Sequence, residues 1–162
     1  MRAGLRFRKF YTKYKDYVLF NKNILISGIF AFFAGAIFTQ LFSEYSSDSL
    51  SNSIVTLTLE YCVYIPIFSY LFYLDNKSRY IVKDTGKKNY DEIKTDIKKL
   101  IAAFAISETI YSVSKVVLHY QLLSLGFIEP YQTSMIASII AWIIFLVVIN
   151  LSIKAVHLFK SK

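Results

Sequence analysis

Four runs of this 162-residue chain, 24–42, 54–74, 100–123 and 133–153, are apolar almost throughout. Each has the length of about 20 residues that a helix needs to cross the hydrocarbon layer of a bilayer. Lipid offers no partner to a backbone N–H or C=O, so a run that crosses it must be helical. The mean hydropathy of +0.43 and the 55% hydrophobic content exceed what soluble domains usually carry. No small-residue cleavage pattern follows the first run, which is therefore read as a retained span and not as a signal peptide. The single cysteine, Cys62, excludes an intrachain disulfide and any cysteine-based metal site.

A net charge of +8 would suggest nucleic acid in a soluble protein, but here the placement of the charges matters more. Residues 1–23 hold seven Lys/Arg and residues 75–99 hold eight, and the tail adds Lys154, Lys160 and Lys162. The connections 43–53 and 124–132 hold none. Only Lys115 falls inside a span. The positive-inside rule predicts a protein integral to the cell membrane, with both termini and the central loop in the cytoplasm. Nucleic acid is not an expected partner.

The expected fold is an all-α integral membrane protein of four transmembrane helices, arranged as two parallel helical hairpins and preceded by an amphipathic interfacial helix. The organisation follows: 1–22, a basic amphipathic segment; 23–80, a first hairpin; 81–99, a cytoplasmic loop and helix extension; 100–162, a second hairpin and basic tail. In the first segment Leu5, Phe7, Phe10, Tyr11, Tyr14, Tyr17 and Val18 recur at helical spacing, with Arg6, Lys9 and Lys13 opposite. That pattern suits a helix anchored at a surface of anionic lipid, or one docked on a partner subunit. In the loop, Asp84-Thr85-Gly86 signals a turn, and Asn89 followed by Glu92 predicts an N-cap with a capping box. The third helix is thus expected to begin near Tyr90, well before its span. Gly28, Ala31 and Gly35 share one face of the first span and favour close helix packing. Pro66 is expected to kink the second span, and Trp142 to make a helix contact.

The third span carries Glu108, Lys115 and His119. Ionisable groups at membrane depth cost about 3 kcal/mol or more each, which makes them candidates for function, with partners to be named. Counting 1.5 Å per residue from the span midpoints puts Glu60 of the second span at nearly the depth of Lys115. Glu60 is therefore the expected partner of Lys115, with Glu108 left over among Ser107, Tyr111, Ser112 and Ser114. Three roles remain open for Glu60, Glu108, Lys115 and His119. They form a packing lock, or a transport site for an anionic headgroup or a proton, or a face turned to another protein's helices. His119 is expected to be a hydrogen-bonded packing residue, and no metal site is expected, because His157 and Cys62 lie elsewhere. With no nucleophile–base pair and no phosphate-cradling loop, a non-enzyme without a cofactor is expected.

The two hairpins repeat one plan: a basic approach, an ascending span, a polar turn and a descending span. The second carries Leu125-Gly126-Phe127 and Pro130 at its turn, then Ala137, Ser138 and Ala141 in the span, then Asn150 and Phe159 nine positions apart. This resembles the GtrA-like family of small four-span proteins, whose second hairpin reads L-G-ϕ-x-P and ends N-x-x-x-N-R-x-W-ϕ-F. Lys154, Ala155 and His157 depart from that ending. The resemblance implies help in translocating a polyprenyl-phosphate-linked sugar or other lipid during polysaccharide biosynthesis, and no binding residue is carried over from it. The alternative is a non-catalytic accessory subunit, with a homodimer or a larger membrane complex as the assembly. A proton-coupled transporter working through Glu108 is the third.

Overall fold

The computed structural model describes residues 2–82 and 85–159, with side chains from Tyr14 onward. Among these residues it is helical, with four long helices: α1 (Arg2–Tyr45), α2 (Ser49–Asn76), α3 (Tyr90–Leu125) and α4 (Pro130–Ala155). All four are long and apolar enough to cross a membrane. Helix α1 runs on from Arg2 without a break between the basic segment and the first span. The side chains of Arg6, Lys9 and Lys13 lie outside the described residues.

The turns follow from local chemistry. Asp48 caps α2 by accepting from Leu50 N at 3.1 Å, and the Ser51 hydroxyl on its carboxylate holds that group below its ordinary pKa. Gly126 ends α3 in the left-handed conformation, φ 66°, where a Cβ would be strained. Pro130 opens α4 at a position whose N–H has no helical partner to lose. Asn89 caps α3 by accepting from Glu92 N at 3.1 Å. The reciprocal half of the expected capping box is not formed: the Asn89 N–H donates to the Tyr80 carbonyl at 2.8 Å, and the Glu92 carboxylate faces Arg79 at 3.4 Å. Asp84 lies outside the described residues, but Gly86, at φ 64°, turns the chain so that Ile81 and Lys88 bridge. Helix α2 continues through Pro66.

Helix α1 packs against α2 and α4, and α3 packs against the same two, so the helices form a ring in chain order. The α2–α3 side is the loosest of the four. At the end carrying the termini the core is aromatic: Phe20 lies 5.6 Å from Phe68, Phe68 lies 5.2 Å from Phe104, and Phe159 returns to within 5.9 Å of Phe20. Phe20, two residues before the end of the segment 1–22, sits in the bundle core and is 1% exposed. In the other half, toward the two turns, the interior is small and polar: Thr39, Asn52, Thr56, Glu60, Lys115, His119, Ser134 and Ser138 are all buried. Phe33, Ile37, Ile143, Val147 and Leu151 are meanwhile more than half exposed. A polar inside and an apolar outside suit a chain solvated by lipid.

Between α1 and α4, Asn21 and Asn150 exchange side-chain amide bonds, each donating to the other at 2.8 Å. Interhelical hydrogen bonds at membrane depth contribute about 1 kcal/mol. Asn150→Ala is therefore expected to lower stability by about that amount, measured by denaturant unfolding in micelles, and Asn21→Ala added to it should cost little more.

Candidate functional site

Eleven residues separate Lys115 from Gly126 at the end of α3, and twelve separate Glu60 from Asp48 at the start of α2. At 1.5 Å per residue the two lie about 16 and about 18 Å below the turns, at matching depth. The ring order then brings their helices side by side. Lys115 Nζ lies 3.0 Å from Glu60 Oε1, and the side chains are 0% and 3% exposed. The ammonium also donates to the Ser134 carbonyl at 2.8 Å and to the Ser138 hydroxyl, so its three N–H groups are used. Glu60 further accepts from Ser138 Oγ at 3.3 Å on Oε1 and from Tyr111 OH at 3.1 Å on Oε2. A buried charge pair survives when its remaining lone pairs and protons are satisfied, and here they are. Ser134 and Ser138, one turn apart on α4, tie the pair to a third helix.

Gly35 and Gly28 make room for this arrangement. A Cβ at Gly35 would stand 2.1 Å from Glu60 Oε1, so the carboxylate rests on the α1 backbone. A Cβ at Gly28 would stand 2.1 Å from the indole of Trp142, which packs flush on α1. The pattern of small residues on α1 thus has two specific tenants.

Glu108 stays apart from the pair. Its Oε2 accepts from Tyr61 OH at 2.8 Å, and the same hydroxyl lies 2.7 Å from Ser112 Oγ, which donates to the Glu108 carbonyl at 2.6 Å. Between Glu108 and Glu60 lies a cavity of about 30 Å³, also lined by Tyr61, Tyr64, Tyr111 and Ser138. Tyr64, 8% exposed, also borders it. On its other side Glu108 borders a groove of about 800 Å³ between α2 and α3. Tyr61, Phe68, Phe72 and Tyr80 form one wall, and Ile93, Ile97, Phe104 and Glu108 the other.

His119 is placed differently from expectation. It is fully buried, yet neither ring nitrogen has a hydrogen-bond partner among the described residues. Its α3 neighbour one turn back, Lys115, directs its donors to Glu60 and α4 instead. No group of three metal-ligating side chains occurs among the described residues.

The sequence singles out the four ionisable groups and Tyr111 but not Tyr61 or Tyr64. Tyr61 directly follows Glu60, and that adjacency was the available signal, since one α2 turn then serves both carboxylates. A second seam was also missed. Thr39 and Thr56 hydroxyls meet at 3.0 Å, and Asn52 Nδ2 donates to Ser43 Oγ at 2.7 Å, joining α1 to α2 near their turn. No protein-family model, characterised protein or solved structure matches this chain.

Proposed function

We propose that the protein is a non-enzymatic membrane protein that holds an anionic lipid by its apolar chain in the α2–α3 groove. In this way it assists translocation of a polyprenyl-phosphate-linked sugar or a similar lipid. The groove carries this reading. Its walls run from Tyr61 to Tyr80 and from Ile93 to Ser112, 19 residues each and roughly 28 Å long. That length exceeds the ~15 Å half-thickness of the hydrocarbon layer, so a chain lying in the groove has its headgroup at the terminus end. Exposed Lys87, Lys88, Lys94 and Lys98 stand at that end and complement an anionic headgroup. Lys115 is not the headgroup ligand in this reading, because Glu60 and α4 already occupy it.

The Lys/Arg distribution supports a cytoplasmic terminus end and a groove that opens to the inner leaflet. The basic pattern of Arg6, Lys9 and Lys13 supports an additional interfacial contact with anionic lipid. Parallel hairpin repeats are supported by matched positions at an offset of 76 to 78 residues. Gly35 and Tyr111 both touch Glu60, and the Thr39–Thr56 contact corresponds to that of Lys115 with Ser134.

The same groove also has the length of a transmembrane helix, which favours the second reading, an accessory subunit whose partner's helix fills it. Native mass spectrometry after gentle solubilisation separates the two. A monomer or small homo-oligomer retaining a polyprenyl-phosphate lipid is expected. A fixed-stoichiometry assembly with unrelated subunits, and no retained lipid, would overturn the lipid reading.

A further inference from the structure

Glu108 stands between two different surroundings. One face looks into the small cavity and the other into the groove, and Tyr61 and Tyr64 line both. At about 30 Å³ the cavity has room for about two waters. Its lining is mostly apolar but includes the polar atoms of Glu60, Tyr61, Glu108, Tyr111 and Ser138, two or more of which a buried water needs as partners. Water there solvates an ionised Glu108 while the groove is empty. A hydrocarbon chain in the groove faces the same carboxyl with a surface that cannot solvate a charge.

We infer that Glu108 is a proton site linked to groove occupancy, ionised and solvated by cavity water when the groove is empty and protonated when an apolar chain fills it. This rests on the proposed lipid role of the groove. The proton comes from solvent at the open basic end and adds to the carboxylate to give the carboxylic acid, so one positive charge is taken up with each lipid anion. The other titratable groups facing Glu108 are Glu60, Tyr61 and Tyr64 from α2 and Tyr111 from α3. Glu60 is already matched by Lys115. Helices α1 and α4 contribute only Gly28, Ala31, Phe32, Ser138, Trp142 and Phe145 to the cavity, none of which titrates.

Linkage makes the effect reciprocal: if the chain favours protonated Glu108, protons favour chain binding. The test uses the full chain in phosphatidylcholine nanodiscs with pyrene-labelled phosphatidylglycerol, whose phosphodiester does not titrate in the range used. Energy transfer from Trp142, the single tryptophan, reports occupancy. His157, exposed at the terminus end, is replaced by Gln throughout. Half-saturation is expected at roughly tenfold lower lipid fraction at pH ~5.5 than at pH ~8.5. Glu108→Gln should bind with the acidic-pH affinity at every pH. Binding that does not vary with pH, or that varies equally in Glu108→Gln, overturns the proton site while leaving the groove intact. No binding at any pH, in parent or variant, overturns the lipid reading itself.

Discussion

Lys115→Met is expected to destabilise the bundle by about 3–5 kcal/mol, because it leaves the Glu60 carboxylate buried without a counter-charge. Glu60 is 3% exposed and would keep only the Tyr111 and Ser138 hydroxyls. Two hydroxyl bonds do not replace a cation at 3.0 Å in a medium of low dielectric. The double variant Glu60→Gln/Lys115→Met removes both charges at nearly constant volume and should recover most of the loss, since a buried pair exchanged for neutral groups is often close to neutral in free energy. The measurement is reversible unfolding in mixed micelles, read as a double-mutant cycle. A double variant as unstable as the sum of the two singles would mean that the pair does not lock the helices.

Gly28→Ala is expected to cost about 3 kcal/mol, the upper end for overpacking, although it adds one methyl group. The new Cβ would stand 2.1 and 2.7 Å from two indole carbons of Trp142, and a ring on that scale cannot step aside as the tip of a flexible chain can. α1 and α4 must therefore separate. Trp142→Leu in the Gly28→Ala background should return part of the stability by trading the ring for a smaller, mobile side chain. Unfolding midpoints of the parent and the two variants in one detergent provide the check. Gly28→Ala as stable as the parent would mean that the two helices are not in contact there.

Much of this architecture was legible because it depends on quantities that a sequence carries directly. The four apolar runs gave the four long helices, and Asn89 gave the start of α3 at Tyr90. Depth was legible too, since a helix advances 1.5 Å per residue and Glu60 and Lys115 could be counted to one level. The C-terminal return was not. Leu158 and Phe159 read as part of a basic tail, yet both are buried, because the chain turns at His157 and lays Phe159 on Phe20 and Tyr17.

The remaining gap has one physical cause. In water, the apolar stripe of a helix says which face is inside; in lipid the solvent is as apolar as the core, and hydropathy loses its direction. Polar residues mark the inner face in its place, which is why Glu60, Glu108, Lys115 and His119 could be singled out but not fully partnered. The sequence by itself determined four helices long and apolar enough to span a membrane, the matching depth of Glu60 and Lys115, and the small-residue face of α1. Only the tertiary structure decided that α2 stands beside α3 and packs loosely against it, that Tyr61 turns to Glu108, and that His119 is buried without a hydrogen bond. Those outcomes depend on how each helix is rotated about its axis, a choice made by side-chain contacts between segments far apart in the chain.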